Sequence, residues 1–442
     1  MTDNGLAGFA LVARALGDQA EGAYFVGGCV RDLWLGQPAA DVDLALPLNP
    51  IEFGPTLGRR LGGHAFVMDE AERVVRIAVK GPPKLQVDLS PLKGTIATDL
   101  ASRDLTINAM AIPAGASWDG LSEGDTHWSS RLIDPTGGRD DLHQGLIRFV
   151  TPDSPVADAL RTLRAVRFRW RLRARYAPGT ERRIRECAPG LWRVSSERVR
   201  DEVFGALRSG EPAAVFSDLA RLELLARSAG LPSALGGADW SAVAERAGEM
   251  TRGLSAAIRL ISEGGARHAE SELKREGGPG RSRMEILQWS TLPWLVGEDV
   301  PAASRRMALS ADEVRLAGQA TSAIGSLAKL RASATLRPSD ALRVVRKHAA
   351  FELEAVLMAC SVNPGEVNDA RMIDWALERR LHPPAPLLDG RAVGDALGLA
   401  PGPEIGRALR ELEEAQADGL IESPEDAIEW LKQWRRGGSG AL

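Results

Sequence analysis

Cysteine is scarce in this chain of 442 residues, and the three that occur, at positions 29, 187 and 360, lie far apart. Because no two cysteines are closely spaced, neither a zinc site nor a disulfide framework is expected. The six histidines show no metal-ligand spacing and no His-Asp dipeptide, which argues against a metal phosphohydrolase. No run approaches eighteen apolar residues, so the sequence predicts no membrane-spanning helix.

The first twenty residues also lack the basic end and the unbroken apolar centre of a signal peptide, and we therefore expect a cytoplasmic protein. A net charge of −4 gives no overall sign of a nucleic-acid partner. The local charge differs, because residues 161–200 contain thirteen arginines and only three acidic residues. A segment of this kind can attract a polyanion even when the whole chain is mildly acidic.

The character of the sequence changes near residue 150. Before it, short β-prone runs alternate with helical segments, as in Arg73–Val79 and Leu85–Leu89. After it, Ala/Leu/Arg/Glu-rich segments with helical spacing dominate. We therefore predict an α+β fold, in which a head with a small mixed sheet precedes all-helical parts. The predicted division is a head at 1–148, a neck at 149–210, a body at 211–385, and a tail at 386–442 with a disordered C-terminus. The basic stretch Gly277–Arg283 is expected to be a phosphate-contacting or mobile loop of the body.

Two aspartates, Asp41 and Asp43, stand one residue apart in the strand-like run DVDLAL and follow the turn sequence GGCVRD. Strand side chains alternate, so both carboxylates point to the same face. Such carboxylates repel each other unless a cation lies between them, and Mg²⁺ prefers oxygen ligands of this kind. Gly27 and Gly28 let backbone N–H groups approach an anion closely. An Asp-x-Asp pair alone is weak evidence of a functional site. The glycine pair and the turn that precede it, however, indicate phosphoryl or nucleotidyl transfer.

Five blocks occur in order along the chain, namely GGCVRD…DVD, SRDLTINAMA, DPTGGRDDL, DALRTLRAVRF and SSERVRDE. Together they make the chain resemble the class II tRNA nucleotidyltransferases, which include the CCA-adding enzymes and the bacterial poly(A) polymerases of the polymerase β-like superfamily. The likeness extends over almost the whole chain, and it implies that Asp41 and Asp43 bind catalytic Mg²⁺. Asp88 is a tentative third catalytic carboxylate, the alternative being a strand-end aspartate that faces water.

The first two blocks imply a nucleotide-binding set. Gly27, Gly28 and Arg31 should hold the triphosphate, and Asp32 should either brace Arg31 or cap the next helix. Arg103 should contact the nucleotide as well. The remaining members, Asp104 and Asn108, should orient that arginine or the ribose. Ser102 departs from the arginine usual in the family, so one positive contact is missing or moved.

The fourth block places Asp158, Arg161, Arg164 and Arg167 three residues apart, which keeps them near one face of a helix. Such a face is often merely solvated. The resemblance implies instead that Asp158 and Arg161 read the base, because an acceptor and a donor together match the edges of cytosine and adenine. Arg164 and Arg167 should support that set or meet phosphate. Ala157 replaces the glutamate that usually orients the arginine, which leaves the order of base addition open.

Taken together, the resemblance implies a Mg²⁺-dependent enzyme that adds CCA to tRNA 3′ ends from CTP and ATP and releases pyrophosphate. The shared motifs do not separate this from A-adding or CC-adding enzymes, or from a poly(A) polymerase. A non-catalytic RNA-binding protein with a relic acidic pair is an alternative of a different class. The oligomeric state stays open.

Overall fold

The computed structural model describes residues 5–37, 41–80, 85–115, 118, 127–208, 211–232, 238–278, 280–348, 350–382 and 384–437. They form two compact units, Met1–Val194 and Ser195–Leu442. The division into head, neck, body and tail stays a prediction. The expected disorder of the C-terminus concerns residues 438–442, which lie outside the described residues.

The first unit combines a six-stranded mixed sheet, as the sequence predicted, with a separate two-stranded parallel pair and short helices. Its helices are α1 Gly5–Leu16, α2 Gly28–Trp34, α3 Pro50–Arg60, α4 Ile96–Ala101, α5 Gly138–Gln144, α6 Ser154–Ala157, α7 Leu160–Arg171 and α8 Thr180–Cys187. Its strands are β1 Tyr24–Val26, β2 Asp41–Leu46, β3 Gly63–Asp69, β4 Val74–Val79, β5 Leu85–Pro91, β6 Ala111–Pro113, β7 Leu146–Ile147 and β8 Arg175–Tyr176.

Six of these strands form a mixed sheet in the order β3-β4-β5-β2-β1-β6. Strands β2 and β5 are parallel, whereas the other neighbours are antiparallel. The parallel pair is in register, so that Asp43 lies opposite Asp88 and Val42 lies opposite Val87. Antiparallel pairing of β4 with β5 then places Arg76 opposite Asp88.

Alternation along the central strands separates an apolar face from a polar face. The buried side chains of the apolar face, including Val42, Ile77 and Val87, belong to one core cluster with Phe9 of α1 and Leu57 of α3. Burying this face leaves the intervening residues of the same strands on the opposite side. That opposite side is where the acidic residues of β2 and β5 lie.

The second unit is almost entirely helical. Helix α16 illustrates its local signals, because Ser310 and Glu313 form a capping box at its start. The helices are α9 Ser196–Leu207, α10 Pro212–Arg221, α11 Leu225–Ser228, α12 Trp240–Ile258, α13 Glu263–Lys274, α14 Arg283–Leu295, α15 Val300–Arg306, α16 Ala311–Arg331, α17 Pro338–Val345, α18 Glu352–Ser361, α19 Asp369–Leu381, α20 Gly390–Leu397, α21 Pro403–Ala417 and α22 Pro424–Gly437. The last three helices share their own apolar cluster.

The prediction that Gly277–Arg283 is a phosphate-contacting or mobile loop was wrong about the loop for the described part of that stretch. Its residues form a short antiparallel ladder of β9 Glu276–Gly278 with β10 Arg281–Ser282. Arg281 is buried and forms an ion pair with Glu313, with Nε to Oε1 at 2.6 Å, and Arg283 pairs with Glu354. These arginines bind carboxylates within the unit because the helices of that unit supply buried acids.

No helix among the described residues is both long enough and apolar enough to cross a membrane.

Candidate active site

An open cleft lies on the polar face of the sheet in the first unit. Acidic residues from β2 and β5 form one side, and arginines from α2, α7 and the segment after α4 form the other. The lining residues are Gly27, Gly28, Cys29, Arg31, Asp32, Asp41, Asp43, Arg76, Gln86, Asp88, Arg103, Asp104, Asn108, Arg164, Phe168 and Arg171. Ten of the thirteen residues predicted from sequence thus lie in one place.

The acidic side of the cleft is built by strand register. Asp41 and Asp43 lie on the same face of β2, since Val42 between them is buried in the core. Asp88 lies beside Asp43 on the neighbouring parallel strand. Burial raises the pKa of Asp43 to about 6, and the negative charges of Asp88 and Asp41 add to that rise. The site therefore concentrates negative charge around Asp43, whose carboxylate is largely shielded from solvent by burial.

This donor set fits a hard divalent cation, because carboxylate oxygens on one face and unrelieved mutual repulsion are what such an ion stabilises. Asp41 and Asp43 are the residues that would hold it. Among the described residues, however, no three histidine, cysteine, aspartate or glutamate side chains are gathered closely enough to hold a metal. Asp88 is engaged elsewhere, as its ion pair with Arg76 shows (2.7 Å from Nη2 to Oδ2).

The turn before α2 brings a cation and a carboxylate together. Gly27 has φ 77° and ψ −134°, a conformation that residues with a Cβ rarely adopt. A Cβ built there would lie 2.8 Å from Nη1 of Arg103 and 3.4 Å from Oδ2 of Asp43. Arg103 is held in this position by Asp99, whose Oδ2 accepts from Nε and Nη2 at 3.2 and 3.1 Å. The missing side chain at Gly27 thus leaves room for these two charged groups.

Arg31 anchors a chain of polar contacts beneath the cleft. It is only 2% exposed, and its Nε and Nη2 donate to Oδ1 of Asp32 at 2.9 and 2.7 Å. Of the two roles expected for Asp32, the structure therefore has the bracing one. Nη1 of Arg31 donates to Asn108, whose amide in turn donates to Asp104 at 3.3 Å. The predicted triphosphate-binding arginine is thus pre-positioned by the second block.

Asp104 is joined to the basic helix α7. Nε of Arg164 donates to Oδ2 of Asp104 at 2.6 Å. Burial alone would raise the pKa of Asp104, but the guanidinium of Arg164 outweighs it and lowers the pKa below the ordinary value. The guanidinium groups of Arg31, Arg164 and Arg167 all lie over the ring of Phe168, at 4.8, 5.7 and 4.3 Å from its centroid. One aromatic ring therefore packs against three cations.

The residues predicted to read the base are placed differently. Oδ1 of Asp158 accepts from the backbone N–H of Leu160, just before α7. Nη1 of Arg161 donates to the backbone oxygen of Arg103 at 3.1 Å, and Nη2 donates to that of Ser102 at 2.9 Å. Within the described residues, Asp158, Arg161 and Arg167 are not part of the cleft lining. Their base-reading role stays a prediction.

Five lining residues were missed by the sequence analysis, namely Cys29, Arg76, Gln86, Phe168 and Arg171. Arg171 continues the spacing of Arg161, Arg164 and Arg167 by one further turn, so this signal was available. It contacts Asp32, with Nη2 3.3 Å from Oδ2. Arg76 and Gln86 gave no local signal, because their place in the cleft depends on the order of the strands.

Sequence comparisons agree with this arrangement. A family model described as the poly A polymerase head domain matches residues 23–148, and one described as the probable RNA and SrmB-binding site of polymerase A matches residues 176–228. The CC-adding tRNA nucleotidyltransferase of Geobacter sulfurreducens is 32% identical over 426 residues, which cover 93% of this chain and 91% of that protein. The A-adding tRNA nucleotidyltransferase of Deinococcus radiodurans is 30% identical over 456 residues, which cover 93% and 95%.

Solved structures share the fold. A CCA-adding enzyme in complex with ATP aligns with a TM-score of 0.73 at 22% identity, over 98% of this chain and 95% of that one. The Thermotoga maritima CCA-adding enzyme in complex with tRNA aligns with a TM-score of 0.69 at 23% identity, over 96% and 94%. The mixed sheet followed by helices is therefore the architecture of these enzymes.

Proposed function

The chain belongs to the tRNA nucleotidyltransferase family, and on that premise we propose that it adds the CCA end to tRNA from CTP and ATP. The 3′-hydroxyl of the RNA attacks the α-phosphate of the nucleotide, and pyrophosphate leaves. One observation carries this proposal: Asp43, which shares one face of β2 with Asp41, meets Arg103 at the Gly27 turn. Oxygen ligands and a fixed cation at one point suit a nucleoside triphosphate with its metal.

The two sides of the cleft have different tasks in this proposal. Mg²⁺, when bound by Asp41 and Asp43, would supply the positive charge that favours an ionised 3′-hydroxyl and a departing pyrophosphate. Arg103 donates to the phosphates from the opposite side of the turn, and the backbone at Gly27 and Gly28 approaches them closely. Most of the catalytic effect then comes from fixed charges and from positioning, as is usual for phosphoryl transfer.

The buried network keeps the cationic side in place. Arg31 is held by Asp32 and Asn108, and Arg164 is held by Asp104. Because these side chains are fixed before the nucleotide arrives, little conformational entropy is lost when it binds. Asp104 and Asn108 thus support the arginines and have fewer hydrogen-bonding positions left for the nucleotide.

Base selection is proposed for Asp158 and Arg161. An aspartate accepts from the exocyclic amine of cytosine or adenine, and an arginine donates to the ring nitrogen. In the described conformation Arg161 donates to the backbone oxygens of Ser102 and Arg103. To read a base, the guanidinium of Arg161 therefore has to give up these hydrogen bonds and donate to the edge of the base. Substituting Arg161 with lysine should weaken discrimination between CTP and UTP more than it weakens the overall rate.

A narrower activity is the second candidate, because two relatives that match almost the whole chain are a CC-adding and an A-adding enzyme. The test uses purified protein and three tRNA substrates, which end before CCA, after the first C, and after both C residues. Each is incubated with CTP, with ATP, or with both. Complete addition to all three supports the CCA assignment. Addition of C alone, or of A alone to the CC-ended tRNA, rejects it, and long A tails would indicate a poly(A) polymerase.

A further inference from the structure

The carboxylate of Asp88 is held by Arg76 on the polar face of the sheet. Nε of Arg76 donates to Oδ1 of Asp88 at 2.8 Å, and Nη2 donates to Oδ2 at 2.7 Å. The two side chains are 31% and 24% exposed, respectively, so the pair lies at the open surface of the cleft. This bidentate geometry is the strongest form of arginine–carboxylate pairing.

Strand register makes this pairing relevant to the metal-binding residues. Asp88 lies directly beside Asp43 on the parallel neighbour, and Arg76 lies directly across from Asp88 on the antiparallel neighbour. Neighbouring strands lie about 4.7–4.9 Å apart, so adjacent side chains on one face of the sheet are close to each other. Arg76, Asp88 and Asp43 therefore form a row across three strands, with a cation at one end.

The row places Asp88 where it could complete a set of three carboxylates, yet the set is not formed. Both of its oxygens accept hydrogen bonds from Arg76. Gln86 also fixes Arg76. With its amide turned so that the oxygen accepts, that oxygen lies 3.1 Å from Nε and from Nη2 of Arg76. Among the described residues, no three metal-ligating side chains are arranged so that they could hold one metal ion. Arg76 thus takes the place that a cation would take at Asp88.

We propose that Arg76 is a positioning residue that keeps Asp88 out of the metal-binding set by occupying both of its carboxylate oxygens. The divalent cation is then bound by Asp41 and Asp43 alone, and Asp88 becomes a ligand only when Arg76 releases it. This inference rests on the proposed role of Asp41 and Asp43. It makes the strength of metal binding depend on a residue that touches neither of them.

The test measures Mn²⁺ binding to the full-length protein without nucleotide or tRNA, by the loss of the free-ion signal in electron paramagnetic resonance. Arg76→Gln removes the cation and frees Asp88. We expect this variant to bind Mn²⁺ about tenfold more tightly than the unmodified protein, in the range typical for groups that support metal ligands. Arg76→Lys keeps the positive charge beside Asp88, so its affinity should stay within about twofold of the unmodified protein.

A double variant separates ligation by Asp88 from a general loss of positive charge. Arg76→Gln combined with Asp88→Asn should lose the gain, because no third carboxylate is left to release. The matched control is Lys93→Gln. It removes a cation from a more exposed ion pair of the same unit, with Glu72 at 3.2 Å, and should leave the affinity for Mn²⁺ unchanged.

Three results would overturn the inference while leaving the metal site intact: Arg76→Gln binds no more tightly, the double variant keeps the gain, or Lys93→Gln gains as much. If Asp41 and Asp43 do not form a metal site at all, the Mn²⁺-binding results will differ from these three. In that case Asp41→Asn and Asp43→Asn would leave Mn²⁺ binding unchanged in both the unmodified protein and the Arg76→Gln variant.

Discussion

Gly27→Ala should disable the cleft while leaving the fold in place. The new Cβ would lie 2.8 Å from Nη1 of Arg103, which is shorter than carbon–nitrogen contacts allow. Arg103 must then retreat by about 0.6 Å to reach an ordinary contact, and displacements of about 1 Å in a reacting complex can cost about 100-fold in rate. The backbone adds strain, because φ is 77° at this position.

Two measurements separate the effect of Gly27→Ala on stability from its effect on activity. Strain of this kind costs about 1–3 kcal/mol of unfolding free energy, which urea denaturation measures. The displacement of Arg103 should lower kcat/KM for CMP incorporation into tRNA by about 10- to 100-fold, equivalent to about 1.4–2.7 kcal/mol of transition-state stabilisation.

Gly36→Ala is the matched control. Gly36 follows the same helix α2 and has φ 65°, but a Cβ there would meet no atom within 4 Å. It should lose about 1 kcal/mol of stability and keep its kcat/KM. Equal loss of activity in both variants, or an unchanged kcat/KM in Gly27→Ala, would refute the placement of Arg103 at the reacting phosphates.

Other side chains give three further tests. Arg164→Met should lower the unfolding free energy by about 2 kcal/mol, because it removes the partner of Asp104. The loss should be smaller than for a fully buried ion pair, since Arg164 is 32% exposed. A change near zero would contradict the role assigned to the pair of Arg164 with Asp104. Phe168→Leu removes a ring that faces three guanidinium groups, so KM for the nucleotide should rise about three- to tenfold with a smaller change in kcat. Burial acts to raise the pKa of Asp369, but the hydrogen bond and the charge of Arg331, together with the backbone N–H of Gly365, outweigh burial and lower that pKa. The pair therefore stabilises the fold above about pH 4, and it stabilises the fold less as the pH falls through the lowered pKa. Melting temperatures between pH 3 and 7 should therefore fall more steeply in acid for the unmodified protein than for Arg331→Met, and parallel curves would contradict this assignment.

Local patterns in the sequence determined much of this site in advance. Alternation along a strand was enough to place Asp41 and Asp43 on one face, since a period of two leaves no other arrangement. The glycine pair before a helix and the arginine spacing of the fourth block were equally local signals. The resemblance to a known family then connected segments that are far apart in the chain. Arg31 and Asn108 are one example, since they are hydrogen-bonded to each other in the structure.

Other features depended on contacts between distant segments that no local pattern specifies. Arg76 pairs with Asp88 only because β4 lies beside β5 in the sheet. Arginine is usually found at the protein surface, but Arg281 is buried because it forms an ion pair with the buried Glu313 of α16. Arg161 matched its family position, yet its guanidinium donates to backbone oxygens some sixty residues away. In each case, packing decided which partner a charged side chain found.

The most direct test of the central claim compares nucleotide incorporation with tRNA binding in Asp41→Ala and Asp43→Ala. Each variant removes one carboxylate from the polar face of β2 and leaves the arginines of the cleft unchanged. We expect incorporation of labelled CMP into tRNA lacking CCA to be abolished in both, while the affinity for tRNA stays within about twofold, since RNA binding rests chiefly on cationic side chains. Unchanged incorporation by both variants would contradict the claim.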